Sequence, residues 1–312
     1  MEDTKQKEEA LKTKVIPQSK KEDFEQFWAD AVAQLRRVPL EYTRKKLETC
    51  YDKTFTTYQI TYNTHDDTMV DAYFSVPVGA TGKLPCVAFY HGGGEKRELM
   101  PSIVAIGVCY FSIDVRGQGG TTADNGHYTC GDPEGGLMTR GILDKEQFYM
   151  RNIYLDAVRA MDVIASLPEV DPDRIVTFGG SQGGALSIAA SALSGKSQHC
   201  FSSITSYCCL DRRTELGSGM FRSLHEYLEQ HPQEKQQALE TLTYFDTLNM
   251  VSLLKVPVSF CLCLADPICL PEFVYSAYAH TPGEKEIDLY PDIGHRQPQA
   301  WRYYAYTKIS KL

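Results

Sequence analysis

The stretch IVTFGGSQGGALS (residues 175–187) predicts a sharp turn from a buried strand into a helix. A short apolar run comes first, then a glycine-rich corner, then a run of small residues typical of a tightly packed helix. The corner matches G-x-S-x-G, the pattern of a nucleophile elbow, with Ser181 at its centre and Gly179 and Gly183 on either side. Glycines there let neighbouring backbone approach a turn that a Cβ would crowd. Because small residues cluster in many turns, this pattern needs a base, an acid and an oxyanion hole elsewhere in the chain.

Composition places the chain among globular proteins. Its 312 residues are 43% hydrophobic and carry a net charge of -8, which favours one large α/β domain with a sizeable core. No stretch is long and apolar enough to cross a membrane, and the charged first ten residues lack the apolar region of a signal peptide. The absence of a basic cluster argues against nucleic-acid binding. We therefore expect a cytoplasmic protein that binds neither nucleic acid nor membrane.

The ten cysteines raise the question of a metal site or disulfides. Cys261 and Cys263 would point to the same face of a buried strand, and the adjacent Cys208 and Cys209 cannot readily pair with each other. There is no C-x-x-C pair, and no histidine has zinc-like spacing to a cysteine pair. The sequence therefore predicts small buried hydrophobic side chains in a reducing compartment, and no metal.

Apolar runs alternate with helical patterns along the chain, which predicts a single α/β domain over residues 1–312. The expected sheet is mostly parallel, with helices on both faces. Amphipathic spacing predicts helices over 22–32 and 146–167, and Asp171–Arg174 is expected to form a turn before the strand that leads to Ser181. The predicted strands are 54–63 and 70–77, which form a hairpin, followed by 85–90, 108–115, 175–178, 202–209, 257–265 and 284–291.

Three segments lie outside this alternation. Residues 1–25 are dominated by charge and predict a loosely attached N-terminal arm that leads into the first helix. Residues 120–140 form a glycine-rich connection too long for a tight turn. Residues 211–250 are helical and polar, with breaks at Gly217 and Pro232, and predict a small cap over the strand ends.

Two further reactive side chains occupy positions equivalent to that of Ser181. In open α/β sheets the site lies beyond the carboxyl ends of the strands. Asp266 follows the apolar run 257–265, and His295 follows the run 284–291. The order Ser, Asp, His is that of α/β-hydrolases. His295 would take the proton of Ser181, while Asp266 would hold the imidazole in the correct tautomer. A single histidine after a strand is more often a loop residue, but the three together predict a catalytic triad.

The glycines that follow the strand at 85–90 predict an oxyanion hole. His91 is followed by three glycines, which would allow backbone to approach a ligand. We assign the two donors to the backbone N–H groups of Gly93 and Gln182, the latter being the residue after the nucleophile. The alternative is a glycine turn that only ends the strand.

The sequence resembles the acetyl xylan esterases and cephalosporin-C deacetylases of carbohydrate esterase family seven, in the α/β-hydrolase superfamily. The resemblance rests on RGQG at 116–119, on GGSQG at 179–183 and on the order of the triad, and it extends from about Asp23 onward. Other stretches that carry it are 136–162, 241–250 and 264–280.

The resemblance implies roles for several residues. It implies that Ser181, Asp266 and His295 form the triad and that Gly93 and Gln182 supply oxyanion N–H groups. It also implies that the enzyme uses no metal or organic cofactor. Members of the family remove acetyl groups from small sugars and from cephalosporin C.

The family also assembles as hexamers. The resemblance therefore implies a homohexamer, with residues 120–140 in the contacts between subunits.

Two positions depart from the family pattern. Gly93 stands where a tyrosine is usual, so we expect space beside the oxyanion hole and a changed substrate pocket. Arg296 follows His295 where a glutamate is usual, which removes whatever anchor that carboxylate made. We expect Arg116, in the RGQ motif with Gly117 and Gln118, to brace loops near the site rather than take part in catalysis.

The sequence thus predicts a serine esterase that deacetylates small substrates through an acetyl-enzyme intermediate. One alternative is a broader short-chain carboxylesterase of the same fold. Another, from a different class, is a binding module that keeps the fold without the activity.

Overall fold

A computed structural model describes residues 2–312 and shows one large mixed sheet between two layers of helices. The strands are β1 Tyr42–Leu47, β2 Phe55–Asn63, β3 Met69–Pro77, β4 Leu84–Tyr90, β5 Cys109–Ile113, β6 Val170–Gly180, β7 His199–Ser203, β8 Val258–Cys263 and β9 Lys285–Tyr290.

The helices fill most of the connections between the strands. They are α1 Glu2–Lys12, α2 Phe24–Arg37, α3 Pro101–Val104, α4 Tyr149–Ser166, α5 Gln182–Ser194, α6 Leu210–Leu216, α7 Arg222–Gln230, α8 Lys235–Thr243, α9 Thr247–Met250, α10 Pro271–His280 and α11 Gln299–Ile309. Short 3₁₀ turns occur at Leu137–Thr139, Gly219–Phe221, Pro232–Glu234 and Val251–Leu253.

The nine strands form one sheet in the order β1-β2-β3-β5-β4-β6-β7-β8-β9. β1, β2 and β3 are antiparallel neighbours, and β3 is antiparallel to β5. From β5 across to β9 all pairs are parallel. This arrangement confirms the predicted mostly parallel sheet, and the hairpin predicted over 54–63 and 70–77 is the pair β2–β3.

Both faces of the sheet are covered, because alternate residues of the central strands enter different cores. In β4, Cys86, Ala88 and Tyr90 pack into the larger core, with residues of α2, α4 and α5. Val87 and Phe89 point the other way, into a core formed with α3 and α11. Strands buried on both faces read as continuous apolar runs, as β4, β5 and β8 do here. None of the helices in the described part of the chain has the length and apolar character needed to span a membrane.

The strand predicted over 202–209 is wrong beyond Ser203, where β7 ends. Three of the next residues, Ile204, Tyr207 and Cys209, have positive φ angles of 40°, 59° and 55°. The composition of this segment favours a strand, but backbone hydrogen bonds to other parts of the fold turn the chain. The N–H of Ser206 donates to the carbonyl of Ser181, and the N–H of Cys209 donates to the carboxylate of Asp246. Tertiary contacts therefore override the local preference.

The turn predicted at Asp171–Arg174 lies inside a strand. Leu84 pairs with Val170 and Cys86 pairs with Ile175, so the intervening residues of β6 bulge out of the ladder. Asp171 accepts a hydrogen bond from the backbone of Asp173, which closes the bulge as an Asx-type turn.

The segment 1–25 is held more firmly than its charge suggests. Leu11 and Ile16 are buried, and the N–H of Ile16 donates to Ser276 Oγ at 2.9 Å. Gln18 donates to the carbonyl of Leu248 at 2.6 Å. The expectation of a loose attachment is therefore wrong for residues 11–19.

The two other segments have different local structures. Residues 211–250 are helical, with Gly217 capping the end of α6 and a 3₁₀ turn starting at Pro232. Residues 120–140 are largely irregular.

Candidate active site

Ser181 occupies a strained turn between β6 and α5. Its φ and ψ are 55° and -122°, which few residues other than glycine adopt and which often marks a functional position. A Cβ on Gly183 would lie 1.9 Å from the carbonyl oxygen of Tyr90, and one on Gly179 would lie 2.4 Å from the carbonyl of Gly183. Both glycines are therefore required for the turn to pack against the end of β4.

The structure brings the three predicted triad residues together. The Oγ of Ser181 lies 3.1 Å from Nε2 of His295, and Nδ1 of His295 lies 2.8 Å from Oδ2 of Asp266. Each residue follows the end of a parallel strand: Ser181 follows β6, His295 follows β9 and Asp266 follows β8. The three strands end at the same edge of the sheet, so residues distant in sequence meet there.

Asp266 is fixed in place by backbone donors. Its carboxylate is 1% exposed and accepts hydrogen bonds from the N–H groups of Ile268 and Cys269 at 2.8 and 2.9 Å. Burial lowers the pKa of the His295 imidazole, but the hydrogen bond to Asp266 and the nearby side chain of Cys269 outweigh burial. The pKa of His295 is therefore raised above its ordinary value of 6.5.

The two proposed oxyanion donors have no internal acceptor. Within residues 2–312, no backbone or side-chain oxygen accepts the N–H of Gly93 or of Gln182. Gln182 begins α5, so its N–H is one of the free donors at a helix N-terminus. A Cβ placed on Gly93 would lie 3.8 Å from the side chain of Gln182, so the two residues lie side by side.

Gln118 ties the glycine loop to the elbow. Its Nε2 donates to Oε1 of Gln182 at 2.8 Å, and its Oε1 accepts the N–H of Gly94 at 2.9 Å. The hydroxyl of Tyr207 donates to the same Gln182 oxygen at 2.6 Å. The side chain of Gln118 therefore holds together the two segments that carry the oxyanion donors.

Arg116 lies among carboxylates, not at the reacting serine. Its guanidinium is fully buried and binds Asp156 through two bonds of 2.7 Å. It also donates to Asp66 at 2.6 Å. The next residue, Gly117, has a φ of 68° and donates its N–H to Thr122. The paired carboxylates suit a guanidinium fork and hold the loop that carries Gln118.

A cavity of about 700 Å³ opens over Ser181 and His295. Most of its other lining residues come from the loop after β4 and from the chain between His295 and the first turn of α11, and the rest come from the ends of neighbouring strands and the loop after β5. They are Phe89, Gly92, Gly94, Glu95, Lys96, Arg97, Glu98, Gly119, Gly180, Ile204, Arg296, Gln297 and Arg302.

The space expected beside Gly93 is already filled. A Cβ on Gly93 would lie 2.4 Å from Sδ of Met220, and the same sulfur lies 3.8 Å from the hydroxyl of Tyr207. Met220 belongs to the 3₁₀ turn that precedes α7, within the helical segment 211–250. Sequence reasoning missed both Met220 and Tyr207. No local pattern marks Met220, and Tyr207 lies in the segment predicted as a strand.

Comparison with known proteins identifies relatives over nearly the whole chain. The solved structure of an acetyl xylan esterase from Paenibacillus sp. R4 is 32% identical and superposes with a TM-score of 0.90, covering 96% of this chain and 98% of that one. Acetyl xylan esterase 1 from Thermoanaerobacterium sp. JW/SL YS485 is 26% identical, with a TM-score of 0.89 and coverage of 97% and 98%.

A longer relative is acetyl esterase Axe7A of Xylanibacter ruminicola, which is 26% identical over 277 residues, or 86% of this chain. The alignment spans 62% of the length of that relative. Residues 6–310 match the family model described as acetyl xylan esterase (AXE1). Since this match includes nearly every residue of the fold and of the site, the chain belongs to the acetyl xylan esterase family.

Proposed function

We propose that this protein is a serine esterase that removes acetyl groups from small substrates, with Ser181, His295 and Asp266 as its catalytic triad. The observation that carries the proposal is the continuous chain of contacts from Ser181 Oγ through the imidazole to the buried carboxylate. Serine is a weak nucleophile, and a base in this position activates it.

The first half of the reaction transfers the acetyl group to the enzyme. Ser181 Oγ attacks the carbonyl carbon while Nε2 of His295 takes its proton, and Asp266 stabilises the imidazolium that forms. The carbonyl oxygen becomes negative and accepts hydrogen bonds from the N–H groups of Gly93 and Gln182. One such donor contributes about 10²–10³-fold to the rate.

Loss of the alcohol completes this transfer: the tetrahedral intermediate collapses, the C–O bond to the alcohol breaks, and His295 gives its proton to the departing alcohol oxygen. In the second half His295 takes a proton from water, whose oxygen attacks the carbonyl carbon of the acetyl-serine to give a second tetrahedral intermediate. That intermediate collapses with cleavage of the bond between the carbon and Ser181 Oγ, His295 returns the proton to Oγ, and acetate leaves. None of these steps needs a cofactor.

Acetylated sugars, such as xylo-oligosaccharides, are the substrates we propose, and cephalosporin C is a second candidate. Two solved relatives are named acetyl xylan esterases, and one longer relative is named an acetyl esterase. The packing of Met220 against Gly93 limits the room beside the oxyanion donors and favours a short acyl group. The cavity over Ser181 is large enough for a small alcohol part.

A chain-length series of 4-nitrophenyl esters tests this proposal against its alternatives. We expect kcat/KM to be highest for acetate and to fall towards butyrate and octanoate. A preference for longer chains would favour a broader carboxylesterase. No turnover of any ester, together with no labelling of Ser181 by a phosphonate probe, would favour a non-catalytic binding module.

We further propose a homohexamer in the cytoplasm, with residues 120–140 in the contacts between subunits. Support for the hexamer comes from the resemblance described above. Support for a reducing compartment comes from the ten cysteines, all of which are free thiols.

A further inference from the structure

One wall of the cavity over Ser181 is basic. It is formed by the segment that runs from His295 into α11 and contributes Arg296, Gln297 and Arg302. Both arginines are exposed, and within residues 2–312 neither has a carboxylate oxygen within 4.0 Å. This wall therefore presents two guanidinium groups and no acidic side chain.

Arg302 is held in position by a chain of hydrogen bonds. Its Nε donates to Oε1 of Gln297 at 2.6 Å, and Nε2 of Gln297 donates to Ser203 Oγ at 2.7 Å. Ser203 lies at the buried end of β7. The guanidinium is thus anchored to the sheet through one of its nitrogens, while its other donors are left for a ligand.

The loop after β4 lines the same cavity with side chains of both charges. Arg97 is buried there and paired with Asp114 at 2.8 Å, so its charge is already matched. Glu95 accepts the N–H of Gly92 at 2.9 Å. Glu98 also lines the cavity, and burial raises the pKa of its carboxyl group while Arg302 opposes that shift. Lys96, with no carboxylate within 4.0 Å among the described residues, adds a third cation.

We propose that this cavity selects acetyl esters whose alcohol part carries a carboxylate, such as an acetylated uronic acid. The proposal rests on the esterase function above and names its substrate class. With the acetyl group held between Ser181 and the oxyanion donors, the alcohol part extends into the cavity towards Arg296 and Arg302. A guanidinium fork matches a carboxylate in geometry as well as charge. Basic lining in a chain of net charge -8 is a local feature that attracts anions.

A matched pair of substrates isolates the charge. The methyl glycoside of tri-O-acetyl glucuronic acid and its primary amide have nearly the same size and differ by one negative charge. An exposed ion pair contributes up to about fivefold. Because two arginines line the cavity, at about threefold each we expect kcat/KM for the acid to exceed that for the amide by about tenfold at about 20 mM salt. At about 0.5 M salt the ratio should fall to about twofold, because these charges are exposed to screening ions.

Variants assign the preference to the basic wall. Arg296→Gln and Arg302→Gln should each lower the acid-to-amide ratio by about threefold or more, mainly through a higher KM for the acid. The matched control is Arg222→Gln. Arg222 is an exposed arginine of α7 that is paired with Glu226 and lies outside the cavity lining. This variant should leave the ratio unchanged.

The same preparations are assayed with 4-nitrophenyl acetate, which distinguishes a failure of the proposed charge selectivity from a failure of the proposed esterase function. Suppose that 4-nitrophenyl acetate is hydrolysed but the acid and the amide have equal kcat/KM at low salt, or neither sugar ester is hydrolysed. The proposed charge selectivity is then wrong, and the esterase function stands. An unchanged ratio in both wall variants would also overturn it. If 4-nitrophenyl acetate is not hydrolysed, the esterase function itself is wrong.

Discussion

The contact between Asp266 and His295 makes a specific prediction about pH. His295 must be neutral to accept the proton of Ser181, and its pKa lies above 6.5. The imidazole therefore remains protonated to higher pH than an ordinary histidine, and kcat/KM should fall on the acid side with an apparent pKa above 6.5. Asp266→Asn should lower kcat by about 10⁴-fold. It should also lower the apparent pKa at which the remaining activity falls on the acid side. pH–rate profiles with 4-nitrophenyl acetate measure both effects.

The control for this prediction is Asp292→Asn, since Asp292 is an exposed carboxylate in the loop before His295. Its profile should match that of the unaltered protein. An apparent pKa below 6.5 on the acid side of the profile would contradict the proposed role of the carboxylate. An apparent pKa that Asp266→Asn leaves unchanged would also contradict it.

The contact between Met220 and Gly93 predicts acyl-chain selectivity. Met220→Ala removes the sulfur that fills the space beside Gly93 and should raise the ratio of butyryl to acetyl kcat/KM by about tenfold or more, since each methylene accounts for about 1–3 kcal/mol. Gly93→Tyr should reduce turnover because its Cβ meets Met220, and adding Met220→Ala should restore part of it. Met69→Ala, at an exposed methionine of β3, is the control. An unchanged ester profile in Met220→Ala would show that this side chain does not bound the acyl site.

Individual site residues can be predicted from the sequence where they follow a segment that clearly reads as a strand. Ser181, Asp266 and His295 each lie a few residues or fewer after a predicted strand, and the order of these strands indicates which ends meet. Met220 could not be found in this way, since its contact with Gly93 joins positions far apart in sequence and depends on how the helical segment 211–250 folds over the site. The bonds made by Gln118 depend in the same way on how two loops fold onto each other.

Among the elements, the start of α6 and the start of α9 depend on one buried carboxylate. Asp246 accepts the N–H groups of Cys209, Leu210 and Leu248 at 3.0, 2.7 and 2.8 Å. Asp246→Ala leaves these buried donors unpaired and should lower the free energy of unfolding by about 3 kcal/mol or more. Urea unfolding followed by circular dichroism measures the change.

Asp211→Ala serves as the control, because Asp211 is exposed in the first turn of α6. Asp211→Ala should lower the free energy of unfolding by less than about 1 kcal/mol. Equal effects of the two substitutions would mean that Asp246 does not organise these helices.

The same segment shows what element prediction from sequence misses. Residues 202–209 have the composition of a strand. The chain leaves the sheet after Ser203 because the N–H of Ser206 donates to the carbonyl of Ser181 and the N–H of Cys209 donates to Asp246, outside the sheet ladder. The β2–β3 hairpin was predictable, since its strands are adjacent in sequence and alternate in polarity. The position of β5 between β3 and β4 was not, because strand order depends on crossovers that carry no local signal.

For the whole molecule, the hexamer proposal predicts a mass of six times 35.1 kDa. Within one chain the connection 120–140 is already organised, with Asp124 bound by Arg140 at 2.9 Å and by the hydroxyl of Tyr128 at 2.9 Å. Such an ordered segment can present a defined surface to another copy. Light scattering coupled to size exclusion at micromolar concentration gives the mass directly, and a monomer mass would contradict the proposal.

Active-site labelling decides whether Ser181 is a nucleophile that His295 activates. The protein is treated with a fluorophosphonate, digested, and the modified residue is identified by peptide mass spectrometry. We expect one label, on Ser181, with loss of esterase activity in proportion to labelling, and almost no labelling in His295→Ala because the serine is then not deprotonated. Labelling of a different residue, or full labelling of Ser181 without His295, would contradict it.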